Sequence, residues 1–137
     1  MKPNPADEAR RWFEQAQDDI AAAVHMTNGG FHNHTCFLAQ QAVEKALKAF
    51  LLSRGAWDVR GHSVADLCSE AAKVHQPFAA LVDIVAPLDK FYIPTRYPNG
   101  LPGGTPSKAF DKGDAERALE TARRAMSFIA EQLPIRD

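Results

Sequence analysis

Apolar positions along the chain recur at intervals of three and four, the spacing of a helix that turns one face to a core. Trp12, Phe13, Ala16, Ile20, Ala23 and Val24 form the first such stripe, which predicts a helix over 5–27. Asn4 is placed to cap it, with Pro5 at the first position, where a missing N–H costs nothing. Gly29 and Gly30 close it, because glycine accepts the left-handed conformation of a C-terminal cap. Phe37, Val43, Leu47, Phe50 and Leu51 mark a second helix over 31–54, ended by Gly55. Gln40, Gln41, Glu44, Lys45 and Lys48 fall largely off that stripe. They read as a solvated polar face on which Glu44 and Lys48 pair four residues apart. The short connection at Gly29-Gly30 folds the two helices into an antiparallel hairpin.

Beyond a loop over 56–62 the elements shorten. Ser63 has the position of a helix cap, with Asp66 three residues on as in a capping box, and a short helix is expected over 64–75. Pro77 opens a further apolar segment containing Phe78, Leu81, Val82, Ile84, Val85 and Leu88. Residues 94–106 hold Pro94, Pro98, Pro102 and Pro106 with Gly100, Gly103 and Gly104, a composition hostile to helix and to central strand. The expectation there is one long loop, mobile over about 94–110, of the kind that often carries function. Asp111 and Asp114 then start a last helix with the stripe Ala115, Leu119, Ala122, Met126, Ile129 and Leu133. No segment alternates as a strand does. The fold class read from this pattern is all-α, an antiparallel up-and-down bundle of four or five helices.

Length and charge narrow the picture. The 137 residues make a single domain over 1–137, with its core at about 5–133. Sixteen Lys and Arg against seventeen Asp and Glu give a formal charge of -1, which excludes binding of nucleic acid through bulk positive charge. No apolar run reaches the roughly 18 residues of a spanning helix, and the charged, proline-containing N-terminus is no signal peptide. The expected location is cytoplasmic, without a membrane. Two cysteines, Cys36 and Cys68, are too few for a disulfide scaffold and are expected reduced in the core.

Most chemistry finds no support in the spacing. His32, His34 and Cys36 cluster, but no second group completes the three or four ligands that zinc requires, so no metal is expected. Cys36, Cys68 and Ser63 stand outside any nucleophile signature, and Gly100–Gly104 lacks the GK[ST] of a phosphate loop. No cofactor is implied. Two features remain. Lys45 and Lys48 lie about one turn apart, where both could meet a phosphate or an acidic partner. The segment Phe91-Tyr92-Ile93-Pro94-Thr95-Arg96-Tyr97-Pro98 holds an arginine on a stiff backbone between aromatic residues. Arginine makes bidentate contacts to phosphate, and tyrosine stacks on a base. The competing reading is that Arg96 bridges to a carboxylate of the first helix, such as Asp19, while the tyrosines fill the bundle end. Residues 89–112 carry Lys90, Arg96, Lys108 and Lys112 against Asp89 and Asp111. An excess this small implies weak, salt-sensitive contacts to nucleic acid.

The run Cys36-Phe37-Leu38-Ala39-Gln40-Gln41-Ala42-Val43-Glu44-Lys45-Ala46-Leu47-Lys48-Ala49, followed by Gly55, His62, Tyr92 and Thr95-Arg96-Tyr97-Pro98, resembles the signature of HEPN domains. So does the first helix, with Trp12, Ala16, Asp19, Ile20 and Ala23. The resemblance spans about 11–128. It implies a helical bundle that forms homodimers, and for stand-alone members a minimal nucleotidyltransferase as partner in a two-component or toxin–antitoxin system. It also implies nucleotide or RNA as ligand. A catalytic subset of the family are metal-independent ribonucleases carrying an Arg, four to six residues, then a His. Here Arg96 is followed at those distances by Leu101, Pro102 and Gly103, and Arg60 by Ala65, Asp66 and Leu67. Arg54 reaches His62 only across seven residues. No other arginine meets the pattern, so no catalytic residue is assigned. The expected ligand-binding residues are Arg96, Tyr97, Lys45, Lys48 and His62. The alternative is a divergent ribonuclease with His62 or His34 as general base and Arg96 stabilising the phosphorane.

Overall fold

Local capping chemistry sets most of the helix ends. The structure, a computed structural model, describes residues 4–134. Helix α1 spans Pro5–Asn28, and the Asn4 side chain accepts from the backbone N–H of Ala6 and Asp7. At its other end Phe31 N–H bonds to Met26 O and Gly30 N–H to Thr27 O. This closure needs a left-handed residue, which Gly30 supplies at φ 85°. Helix α2 follows almost at once and spans His32–Ser53.

The middle of the chain departs from the simplest expectation. Helix α3, Val64–Val74, does have Ser63 as its cap, accepting from Asp66 N–H at 3.1 Å. Two further N–H groups of the first turn are met by Asp89. Its carboxylate accepts from Ser63 Oγ–H at 2.7 Å, from Val64 N–H at 2.7 Å and from Ala65 N–H at 3.3 Å. A negative side chain there complements the helix dipole. The following apolar segment is broken into a 3-10 turn at Gln76–Phe78, helix α4 at Ala79–Val85 and another 3-10 turn at Ala86–Phe91. The proline-rich stretch is likewise not one structureless loop. It contains a 3-10 turn at Pro98–Gly100 and the single-turn helix α5 at Pro106–Ala109. Proline at the first position of each turn makes this possible, since its missing N–H has no partner to lose there. Gly100 is required by close approach. A Cβ at that position would lie 3.0 Å from Pro94 Cα. Helix α6 spans Lys112–Glu131 and opens on a complete capping box, in which Asp111 and Asp114 each accept the other's backbone N–H at 2.9 Å.

Helix α2 is the axis of the molecule. It packs against α1, α6 and α3, and 14 of its 22 residues are buried, so it has no broad solvent face. The core joins it to the rest through aromatic contacts. The Phe50 and Phe78 rings lie 4.4 Å apart, and Phe128 from α6 meets Phe78 edge-on at 4.9 Å. Contacts of this geometry add to simple burial. Among the described residues there is no strand, and the helical-bundle expectation holds.

Candidate functional site at the Arg96 end of the bundle

The polar residues of α2 are where the structure most changes the picture. Gln40 is fully buried, and Glu44 and Lys48 are buried with it. The face read as solvated is therefore interior at Gln40, Glu44 and Lys48 and half-buried at Gln41 and Lys45, with His62 in the chain leading into α3 set against Gln40 and Glu44 and Trp12 of α1 against Lys48. Lys48 Nζ donates to Glu44 Oε2 at 2.9 Å within the protein. A buried carboxylate needs compensation on every lone pair, and Glu44 finds it. Gln40 and Gln41 donate to Oε1 at 3.4 and 3.3 Å, and His62 Nδ1 lies 3.3 Å from Oε2. Gln40 Nε2 also donates to the His62 carbonyl at 2.8 Å.

His62 is thus held at the start of α3 by its main chain and its ring edge. Its ring face is held as well, stacked on Tyr92 with centroids 4.7 Å apart and planes 18° from parallel. Tyr92 follows directly on the 3-10 turn carrying Asp89. The same tyrosine ring receives Arg96, whose guanidinium carbon lies 4.6 Å from its centroid, 4.5 Å from that of Phe37 and 5.1 Å from that of Tyr97. Arg96 Nε donates to Tyr92 O at 2.8 Å. Contacts of this kind orient the guanidinium plane. Thr95, fully buried, fixes the backbone beside it. Its hydroxyl donates to Phe91 O, and its carbonyl accepts from Asn33 Nδ2 at 3.1 Å.

The bridge from Arg96 to Asp19, the competing reading of this segment, is not made. Asp19 is taken by Lys45 at 2.6 Å and by Gln15 at 3.0 Å. Among the described residues no carboxylate lies within ion-pair distance of Arg96. Its guanidinium, next to half-exposed Tyr97, is a cation that could meet an anion from outside the chain.

Of the residues singled out in the sequence, the structure brings His62, Arg96 and Tyr97 to one end of the bundle. Lys48 reaches that group only through Glu44, and its charge is spent inside the protein. Lys45 lies eight residues beyond Phe37 on α2, about 12 Å along the axis, and lines a separate cavity of about 580 Å³ with Arg11, Trp12, Glu14 and Gln15. His34 is exposed in the first turn of α2, tilted against Phe31 at 6.1 Å. Sequence reasoning missed Phe37 as a platform for Arg96 and Glu44 as the partner of His62. A signal was present: two glutamines followed by a glutamate sit between the apolar runs 36–39 and 49–52 of the helix.

The cysteines are not nucleophiles. Burial, aided by the Asp114 carboxylate, pushes the Cys36 thiol up to about 12, and burial pushes Cys68 up to about 11. Neither forms the thiolate that reactivity needs at neutral pH. Among the described residues no three His, Cys, Asp or Glu side chains converge as a metal site, and no helix is long and apolar enough to cross a membrane.

A helical bundle built on an interior α2 with a QQAxEK run, and carrying an ordered arginine–tyrosine corner, defines a class. The family model for the HEPN domain matches residues 9–133. The chain belongs to the HEPN family. Its fold is similar to that of TT1696 from Thermus thermophilus, at 40% identity and a TM-score of 0.80 over 92% of this chain and 98% of that one. It is also similar to ST0689, an archaeal HEPN homologue, at 32% identity and a TM-score of 0.76 over 97% and 99% of the two chains. A HEPN domain protein of Thermotoga maritima is 30% identical, with a TM-score of 0.68 over 88% and 95%. None of the curated proteins matches the sequence.

Proposed function

We propose that the protein is a non-catalytic HEPN module that binds a nucleotide or RNA at the Arg96 corner. In this reading it acts as a homodimer and as the partner of a minimal nucleotidyltransferase, in a two-component or toxin–antitoxin pair. The binding part is carried by one observation. Arg96 is oriented by three rings and by its bond to Tyr92 O, yet it has no carboxylate partner. A cation ordered in advance and left unneutralised suits a phosphate, since little rotamer entropy remains to be lost on binding. Tyr97, half exposed beside it, offers a face to a base. The partner and the dimer rest on family membership.

A second reading is favoured by the Glu44–His62 contact, because a carboxylate behind an imidazole is how proteins orient a general base. It makes the chain a ribonuclease with His62 as base and Arg96 on the phosphate. One experiment separates the two. Calorimetric titration of ATP and GTP is expected to give binding that weakens at least about tenfold in Arg96→Ala, the loss of a charge-assisted contact. Equal binding by both proteins, or none by either, removes Arg96 from the site. An RNA oligonucleotide left intact by the same preparation supports the binding module. Cleavage abolished by His62→Ala supports the ribonuclease.

A further inference from the structure

We infer that Glu44 is a positioning residue that fixes the neutral His62 imidazole with its Nδ1–H inward and its Nε2 lone pair outward. The corner then selects a ligand that presents a ribose hydroxyl as well as a phosphate. The inference rests on the nucleotide reading of Arg96.

Glu44 is buried and paired with Lys48 at 2.9 Å, so it is an ionised carboxylate, and an ionised carboxylate only accepts hydrogen bonds. His62 Nδ1, 3.3 Å from Oε2, must therefore be the donor. Neighbouring bonds restrict the orientation. Gln40, fully buried, donates to the His62 carbonyl and accepts from Gln41 Nε2 at 2.8 Å, so its amide has one possible direction. Tyr92 covers one face of the imidazole. The two ring nitrogens point away from each other, and the side chain is 58% exposed. With Nδ1 turned to the interior, Nε2 is directed away from Glu44, on an imidazole stacked against the tyrosine ring that also carries Arg96.

A neutral imidazole in this tautomer offers only an acceptor. Arg96 offers only donors. The pair is complementary to a ligand with phosphate oxygens for Arg96 and a hydroxyl proton for Nε2. A ribonucleotide carries both groups, and the 2′-hydroxyl is what distinguishes it from the deoxy compound.

Two measurements test this. Long-range ¹H–¹⁵N NMR at about pH 8, where imidazole is neutral, is expected to show His62 as the Nδ1–H tautomer. The Nε2–H tautomer would overturn the inference without any variant. Calorimetry with AMP and 2′-deoxy-AMP is expected to favour AMP about tenfold, the worth of one hydrogen bond whose loss leaves an acceptor unmet. That preference should vanish in His62→Ala. It should vanish also in the double variant Glu44→Met/Lys48→Met, which removes both buried charges together and so leaves neither unpaired. Equal binding of AMP and 2′-deoxy-AMP by the wild type would contradict the ribose selection. If neither nucleotide binds, the reading of Arg96 falls and the ribose selection with it, while the tautomer still decides the role of Glu44.

Discussion

At the scale of the residue, the molecule separates groups that titrate from groups that are held. Cys36 and Cys68 are pushed up to about 12 and about 11 by burial, above the ordinary value of 9.0. The folded state therefore keeps thiol protons that the unfolded chain gives up. That contribution to stability is complete below about pH 9 and is lost as the pH rises towards 12. Denaturant unfolding followed across that alkaline range should show stability falling, and the fall should shrink in Cys36→Ala. A slope unchanged by that substitution would show that other groups set the alkaline limit. The polar residues of α2 carry a different lesson. Gln40, Glu44 and Lys48 look like surface positions because glutamine, glutamate and lysine are seldom buried. They are buried here because each satisfies another. Pattern alone does not distinguish a solvated polar face from a fully paired interior one, and the deciding partner, His62, lies 18 residues from Glu44.

At the scale of the element, what the sequence makes legible is what acts locally. Asn4 and Asp111 cap their helices through bonds reaching two or three residues, and both are readable in a short window. Helix α3 is different, because its capping carboxylate comes from Asp89, 26 residues beyond Ser63. No local signal names that residue. Asp89 ties the start of α3, which carries His62, to the turn that leads into Tyr92. Asp89→Ala is expected to lower stability by about 2 kcal/mol, as the loss of a strong helix cap does. It should also loosen the stacking of His62 on Tyr92, visible as a reduced ring-current shift of the imidazole protons. Ser63→Ala keeps the carboxylate on Val64 N–H and should cost less. Equal losses from the two substitutions would show that Asp89 acts through Ser63 alone.

At the scale of the whole molecule, a net charge of -1 hides an uneven distribution. Among the described residues, Lys45, Lys48, Arg11, Arg60 and Arg117 are each matched by a carboxylate, whereas Arg96, like Arg10, Arg54, Lys90, Lys108, Arg123 and Arg124, is not, and Arg96 is further held against three rings. The bundle and its family were legible in apolar spacing and in the QQAxEK and TRYP runs, since these encode the packing of α2 against its neighbours. The site was legible only in part. Arg96, Tyr97 and His62 were visible as residue types, but the meeting of His62 and Arg96 on the Tyr92 ring, with Tyr97 beside Arg96, depends on how α3 and the turn at 86–91 meet α2. The cavity around Trp12 and Lys45 is the competing place for a nucleotide, and a single measurement discriminates between the two. Backbone amide shifts recorded during a titration with AMP should move at His62, Tyr92, Arg96 and Tyr97 while Trp12, Gln15 and Lys45 stay still. Shifts confined to Trp12, Gln15 and Lys45, or no shifts at all, would contradict the assignment of ligand binding to the Arg96 corner.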